Sequence, residues 1–337
     1  MSERYEQLVQ TTARRRRDPR SLLFFSLLIL VNVMWAFQFS GAKIAAERAG
    51  PVTVTFTTMA LATLIFLPLV WRERWRNANA SSITKRDAWD FVLLSLLGCT
   101  PAQILLVLGV QYTLASNAAV LTLTIPIVTA ILATLLLGER MTPLRWISFL
   151  LAIGGVLMVS HIDWRAVDFL HKTYLAGNLL ILGSCLGSGF YNSFSKRVLS
   201  KFSPVTVLFY TFLLSDAVLL ALVEWLEPAA LSRLSGIGSA AWLSLLAIAI
   251  FSLAISMILF FWVIQRVEVV QASLSIYLLP VFGVLISAIT LHEHVSLDLV
   301  IGAALVFGST FLVTYFEDGR QRTVLNTNIS GEEGGNA

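Results

Sequence analysis

Ten long apolar segments restrict the fold of this chain more than any other feature of its sequence. A helix needs about 20 apolar residues to cross the roughly 30 Å hydrocarbon core of a bilayer. We predict membrane helices at residues 21–42, 52–71, 88–110, 115–137, 142–160, 173–195, 203–224, 239–264, 268–290 and 296–316. These segments are about twice the length of a barrel strand, and lipid does not tolerate the open edge of a sheet. The predicted fold class is therefore all-α integral membrane.

The charged residues lie between these segments and set the predicted orientation. Only 13% of the residues are charged, about half the usual share in a soluble domain. With ten crossings, 19 of the 24 Lys and Arg residues fall on the side that holds the N-terminus. Short basic loops stay in the cytoplasm, so we expect a multi-pass protein of the bacterial inner membrane with both termini cytoplasmic. The basic clusters suit the lipid bilayer, and no nucleic-acid partner is expected.

The chain also repeats itself at a spacing of 153 to 154 residues. The matched pairs include Phe37 with Phe190, Lys43 with Lys196, Pro51 with Pro204, Gln111 with Gln265, Pro126 with Pro280, and Glu139 with Glu293. Each half holds five predicted helices, and an odd number forces the second half to enter the membrane from the opposite side. The sequence thus predicts ten transmembrane helices as two inverted five-helix repeats, an architecture found in many secondary transporters.

The predicted domain organisation follows from this repeat. A basic N-terminal tail covers residues 1–20, the first repeat covers 21–161, the second covers 173–316, and a C-terminal tail covers 317–337.

Polar and aromatic side chains inside the predicted helices are the candidates for substrate binding, because such groups are costly in a membrane and tend to be functional. The candidates are Trp35, Gln38, Gln103, Asn117, Tyr191, Asn192, Gln271 and Tyr277. Together they can line a cavity of amide groups and aromatic walls suited to a small-molecule substrate. For any one of them, a hydrogen bond between helices is the alternative interpretation.

Asp216 lies within the seventh apolar segment and is the most informative single residue. An ionised carboxylate there is costly, so the group must be protonated, paired or in contact with water. A role in proton coupling or cation recognition is one interpretation. A structural hydrogen bond to Ser or Thr on a neighbouring helix is the other.

Glu139 and Glu293 end apolar segments at equivalent places. A carboxylate at a helix C-terminus opposes the helix dipole, so each must gain elsewhere. We predict a structural role for both, in which the carboxylate caps the following helix or pairs with a base such as Arg140 or Arg145.

Pro126 and Pro280 lie within long apolar segments, where each removes a backbone hydrogen bond. They are predicted to be hinges for the change between inward-open and outward-open states, with static bends as the alternative. The small residues Gly183 and Gly187 on the sixth segment permit close helix packing, within one chain or in a homodimer.

A resemblance to a known family rests on some of these residues. The first repeat has Trp35 and Lys43 in the first helix, Pro51 opening the second, the Ala-rich start of the fourth with Pro126, and Gly138-Glu139. This pattern resembles the EamA repeat of the drug/metabolite transporter superfamily, and it extends over residues 21–316. The resemblance implies a ten-helix, exporter-like carrier with the substrate path between the halves. Two departures from the pattern are the lack of a basic residue near Thr57 and the His that replaces Gly before Glu293.

We therefore predict a secondary transporter, an exporter of a small metabolite such as an amino acid or a related amphipathic compound, that works by alternating access. A membrane-embedded enzyme acting on a lipid or small metabolite is the alternative. The chain has no zinc-protease motif, nucleophile elbow or phosphate-binding loop. No catalytic residue, cofactor or metal is expected.

Overall fold

The computed structural model describes residues 19–76, 83–113, 115–159, 167–168, 170–291, 297 and 300–316. Among these, only the backbone is described at 19, 37–48, 115, 116, 119, 159, 284 and 286–291. Within these ranges the chain forms ten apolar helices. They are α1 (Pro19–Ala49), α2 (Pro51–Arg76), α3 (Lys85–Gly109), α4 (Ala115–Thr122 and Thr124–Leu137), α5 (Pro143–Val159), α6 (Lys172–Leu199), α7 (Pro204–Leu226), α8 (Ser239–Ile264), α9 (Val269–Leu274, Ser275–Tyr277 and Leu278–Leu291) and α10 (Val300–Phe316).

Length and exposure confirm an all-α integral membrane protein. Six of the described helices are long and apolar enough to cross a membrane, and four shorter apolar stretches lie in α1, α5, α9 and α10. Large apolar side chains also cover the outward faces, among them Leu64, Leu135, Leu150 and Leu186. Exposed leucines in such numbers are expected where the surrounding medium is lipid rather than water.

The ends of the helices follow from local sequence. Pro51, Pro143 and Pro204 each occupy the first position of a helix, where a missing backbone N–H costs nothing because that group has no partner within the helix. Gly138 ends α4 with φ of 71°, a left-handed conformation that glycine adopts without a steric penalty. These signals keep the turns short and fix where the charged residues lie.

The first two helices of each repeat pack into the other repeat. α6 packs mainly against α3 and α4, and α7 packs against α3. In the same way, α1 packs against α8 and α9, and α2 packs against α8. We call α3, α4, α6 and α7 the first body, and α1, α2, α8 and α9 the second body. The bodies meet where α2 lies along α7 and where α4 crosses α9.

The pairing of α2 with α7 is antiparallel and confirms the inverted repeat. Glu227, just after α7, accepts hydrogen bonds from the N–H groups of Val52 and Thr53 at the start of α2, both at 2.9 Å. At the other end, Glu73 of α2 accepts hydrogen bonds from the hydroxyls of Ser203, at 2.6 Å, and Thr206, at 3.2 Å. Equivalent helices that run antiparallel are related by a two-fold axis perpendicular to them, which lies in the membrane plane.

Equivalent helices are also interrupted at equivalent places. α3 contains a π-helical stretch at Leu94–Cys99, and α8 contains one at Ile248–Ile255. α4 breaks at Leu123 shortly before Pro126, and α9 tightens to a 3-10 turn at Ser275–Tyr277 shortly before Pro280. A proline lacks the N–H that would bond to the carbonyl four residues earlier, which explains these positions. A hinge function at the two prolines stays a prediction.

We expect Gly187→Ala to destabilise the protein, because α3 and α6 touch through backbone at this point. A Cβ at Gly187 would lie 2.9 Å from the Ala102 nitrogen and 3.1 Å from the Gly98 oxygen. Overpacking of this kind costs about 1–3 kcal/mol, measurable as a lower unfolding temperature in detergent. Gly183→Ala is the matched control, since its Cβ would meet only the movable tip of Leu105, at 3.0 Å. Equal unfolding temperatures for the two variants would contradict this packing.

Candidate functional site

The space between the two bodies is bounded on one side by the α2–α7 pair and on the other by the crossing of α4 and α9. At the crossing, the Tyr277 hydroxyl donates a hydrogen bond of 3.0 Å to the Leu123 carbonyl. Leu123 and Tyr277 are 154 residues apart, so they are equivalent positions that meet at the two-fold axis. The breaks of α4 and α9 therefore face each other at the middle of the molecule.

Among the predicted binding residues, Trp35, Gln103 and Tyr191 have side-chain polar groups with no hydrogen-bond partner in the described part of the chain. Trp35 is half-buried, with its ring edge-on to Phe260 at 5.0 Å between centroids, and the neighbouring Phe261 lies 5.4 Å from Tyr191. The Tyr191 side chain is 6% exposed, and its hydroxyl has no hydrogen-bond partner among the described residues. Gln103 is half-buried on α3, just beyond the turn that touches Tyr191. Their role in binding a small solute stays a prediction.

Three other predicted residues already form hydrogen bonds with other segments of the chain. Asn117 donates to the Asp168 carbonyl at 2.8 Å and accepts from its N–H at 3.1 Å. Gln271, its equivalent in the second repeat, donates to the Val313 and Thr314 carbonyls of α10 at 3.3 Å and 3.0 Å.

The third residue is Asn192, whose amide donates to Thr129 at 3.4 Å. The geometry of Gln271 and Asn192 matches the alternative of interhelical hydrogen bonding, whereas Asn117 bonds to the connection before α6. The role of all three in binding stays a prediction. The side chain of Gln38 and the whole of Glu293 lie outside the described residues.

The ends of α4, α6 and α8 lie together on what we call the basic face, which carries Arg140, Lys196 and Arg266. Here Glu139 accepts hydrogen bonds from the N–H groups of Val269, at 2.8 Å, and Val270, at 3.0 Å. The Glu139 carboxylate therefore caps α9 of the other body, rather than the following helix α5. A carboxylate at this position satisfies free N–H groups and complements the helix dipole.

Two ion pairs surround this cap. Lys196 lies 3.4 Å from the Glu139 carboxylate and donates a 2.6 Å hydrogen bond to the Val267 carbonyl. Arg145, one of the bases that we expected beside Glu139, forms an ion pair with Glu268. Burial raises the pKa of the Glu268 carboxyl above its ordinary value, and the charge of Arg145 opposes that rise. At this end the two bodies are closed against each other.

The basic face also has two adjoining clefts, and both are lined by Lys196 and Ser200. One has a volume of about 410 Å³ and is lined by Lys196, Leu199, Ser200, Gln265 and Arg266. The other has a volume of about 600 Å³ and reaches from the end of α4 to Glu268. Tyr191 and Phe261 lie one to two turns above these linings on α6 and α8. The closed contacts thus separate the clefts from the mid-membrane groups.

Asp216 lies away from the clefts, in the contact between α2 and α7. The Thr63 hydroxyl donates a hydrogen bond of 2.6 Å to Asp216 Oδ2. This is the hydrogen bond to a neighbouring helix that we considered from the sequence. It does not decide between a structural role and a coupling role.

Several residues of the site were missed from the sequence. They are Glu73, Glu227 and Thr63, whereas Asp216 was predicted. Thr63 lies 153 residues before Asp216, and Glu73 lies 154 residues before Glu227, so the repeat carried a signal for these residues. In the described part of the chain, no group of three or more His, Cys, Asp and Glu residues is placed to hold a metal ion.

Comparison with known proteins gives the following matches. The profile of the EamA-like transporter family matches twice, at residues 22–161 and 175–315. Uncharacterized transporter YoaV of Bacillus subtilis is 22% identical over 290 residues, covering 86% of this chain and 95% of the relative. A probable terminal-alkyne amino-acid exporter of Streptantibioticus cattleyicolor is 24% identical over 298 residues, covering 88% and 94%. One crystal structure matches with a TM-score of 0.71 at 18% identity, covering 88% of this chain and 96% of the other.

We expect Glu227→Gln to destabilise the protein, because an amide accepts the two N–H bonds of α2 less strongly than a carboxylate. Loss of a helix cap costs about 0.5–2 kcal/mol, and thermal unfolding in detergent measures it. Glu224→Gln is the matched control, since Glu224 is an exposed residue on the same helix. A fall in unfolding temperature that is as large for Glu224→Gln would show that the cap contributes nothing.

Proposed function

Because this chain belongs to the EamA-like transporter family, we propose that it is a secondary transporter that exports a small amphipathic metabolite by alternating access. Membership of a transporter family decides against the embedded enzyme considered from the sequence. The proposed cargo is an amino acid or a related compound. The observation that carries the proposal is the exchange of α1–α2 and α6–α7 between the repeats, which builds two equivalent bodies around one central region.

Alternating access needs two bodies that can close at either face while the region between them stays intact. Here the described contacts between the bodies on the basic face include the Tyr191–Phe261 ring pair, the Lys196 bond to Val267, the Gln265 bonds to Leu199 and Phe202, and the Glu139 cap on α9. Opening the basic face requires that these contacts break, together with the Arg145–Glu268 ion pair beside them. The α2–α7 pair, held at both ends, supplies the pivot.

The groups at mid-membrane favour a neutral or zwitterionic cargo with an apolar part. Trp35, Tyr191 and Phe261 offer aromatic surface, while Gln103 and the Tyr191 hydroxyl offer hydrogen bonds. None of these side chains carries a fixed charge, so a strongly charged solute would lose its hydration without compensation. A relative named as an amino-acid exporter, at 24% identity, supports the same class of cargo.

We place the basic face in the cytoplasm of a bacterial inner membrane, with both chain termini on that side. The excess of Lys and Arg there supports this orientation. Trp71 and Trp75, both exposed, stack at 6.0 Å near the end of α2, as expected for side chains at the level of the lipid headgroups.

Transport is tested with purified protein in liposomes loaded with unlabelled leucine and supplied with labelled leucine, phenylalanine or methionine outside. We expect entry of label that empty liposomes do not show. Gln103→Leu should raise the half-saturating concentration about two- to tenfold, since one hydrogen bond contributes about 0.5–1.5 kcal/mol.

Ser232→Ala, an exposed change outside the helices of the path, is the matched control for the Gln103 variant. Metabolite profiles of medium from cells with and without the protein extend the search beyond amino acids. If no compound differs between the media and no label enters the liposomes, the proposed function is wrong.

We expect Glu139→Gln to open the basic face, because it weakens both the cap on α9 and the ion pair with Lys196. The readout is labelling of Ser195→Cys by an impermeant maleimide in inside-out vesicles, in a chain without Cys99 and Cys185. Ser195 is fully buried, one turn from Tyr191 on the same side of α6. Labelling should rise severalfold in Glu139→Gln and stay unchanged in the control Glu224→Gln. Equal labelling of both would show that Glu139 does not hold this face closed.

A further inference from the structure

The contact between α2 and α7 carries a carboxyl group at its midpoint. Thr63 and Asp216 each lie near the middle of their helix and are equivalent residues of the two repeats, 153 positions apart. Their side chains meet at the two-fold axis, 2.6 Å apart. One turn away the contact is apolar, with the Phe66 and Phe212 rings 5.7 Å apart. Asp216 is thus a polar group in the apolar middle of the contact, between the polar caps at its two ends.

Only one of the two carboxyl oxygens of Asp216 has a partner. Oδ2 accepts the hydrogen bond from Thr63, while Oδ1 is buried and has no hydrogen-bond partner among the described residues. None of the ion pairs between described residues involves Asp216. An ionised carboxylate would leave a full charge here with a single hydrogen bond, which is strongly unfavourable. A proton on Oδ1 removes the charge and leaves the Thr63 bond in place.

The ionisable groups around Asp216 do not offer a compensating positive charge. On α2 the ionisable residues begin only at Arg72, near the end of the helix, and α8 has none along its length. From α3, Cys99 lies close enough to Asp216 to interact with it electrostatically, and Tyr191 of α6 lies beside Cys99. On α7 itself, Tyr210 and Glu224 lie more than one turn away in either direction. Among the described residues, the Thr63 hydroxyl is therefore the one neighbour shown to favour the anion of Asp216, and no positive charge adds to it.

A short run of polar groups links Asp216 to the candidate binding residues. The neighbouring Ser215 hydroxyl lies 2.9 Å from that of Ser95, within the π-helical stretch of α3. Cys99 ends the same stretch and lies beside both Ser215 and Tyr191. π-helical segments are frequent at functional sites, because the wider turn leaves backbone groups free to rearrange. A movement of α3 on cargo binding would therefore change the surroundings of Asp216.

We propose that Asp216 is the proton-binding site of this transporter, with the proton held on Oδ1 while Thr63 donates to Oδ2. The proton comes from water on one face and forms an O–H bond with the carboxylate. It returns to water when the movement of the two bodies hydrates the α2–α7 contact, so no other reactant is needed. The proposal rests on the proposed function, since a proton that binds on one face and leaves on the other drives cargo the opposite way.

The first test needs no cargo. Infrared spectra of the reconstituted protein at neutral pH should show the carbonyl band of a protonated carboxylic acid, and Asp216→Asn should remove that band. Glu224→Gln is the matched control and should leave it. Thr63→Val should keep the band but shift it, because the carbonyl of the acid loses its hydrogen-bond donor. A band that survives Asp216→Asn, or no such band in the wild type, overturns the proposal.

The second test measures coupling in liposomes with labelled leucine as the probe. A gradient of one pH unit should change the accumulation ratio of the wild type about tenfold for one coupled proton. Asp216→Asn should show no response to the gradient, and Glu224→Gln should respond fully. A full response in Asp216→Asn overturns the proposal while leaving transport intact. If leucine and the other amino acids do not move in the wild type, the proposed cargo fails, and the infrared result alone decides whether Asp216 binds a proton.

Discussion

The caps at the two ends of the α2–α7 contact are the interactions on which the rest of the structure depends. A helix that starts within or near a bilayer has N–H groups with no partner in the helix, and lipid supplies none. Glu227 accepts hydrogen bonds from those N–H groups at the start of α2, and Glu73 accepts hydrogen bonds from the hydroxyls at the start of α7. Because each cap comes from the other body, the two bodies stay joined along this line. A contact fastened at both ends can pivot and loosen at its middle while its ends stay joined, which leaves the α4–α9 side as the one that opens more widely.

The sequence was sufficient for the helices and for the repeat, but not for how the helices are shared. Hydrophobic length and the prolines at 51, 143 and 204 located the helices to within a few residues, except that α1 and α2 extend well beyond the predicted segments. An internal spacing shows that two units exist, and it contains no information on which unit α1 or α6 packs against. That choice depends on side-chain fit, such as Gly187 against the backbone of α3, which only coordinates reveal.

The candidate site illustrates a similar limit. Polarity within the predicted helices selected Asn117, Gln103 and Gln271 alike, because each has the same hydrogen-bonding capacity. Their neighbours separate them: Asn117 is satisfied by the backbone before α6 and Gln271 by the backbone of α10, whereas the Gln103 amide has no partner among the described residues. The role of Glu139 was similarly underdetermined. Its structural importance was predictable from its place at a helix end, but its partner, the start of α9, is 130 residues away in the chain.

The two-fold axis also explains why the two repeats carry different residues where Thr63 meets Asp216 and where Tyr277 meets Leu123. A residue on such an axis meets its own equivalent, so two identical carboxyls would repel and two identical donors would find no acceptor. A polar contact on the axis that involves a carboxylate or a group that only donates therefore requires that the two repeats differ. Thr63 meets Asp216 as a hydroxyl against a carboxyl, and Tyr277 meets the backbone of Leu123 as a donor against a carbonyl. Such differences also make the two facings of the molecule unequal in energy, so one facing is more populated at rest, while the gradients across the membrane set the direction of net transport.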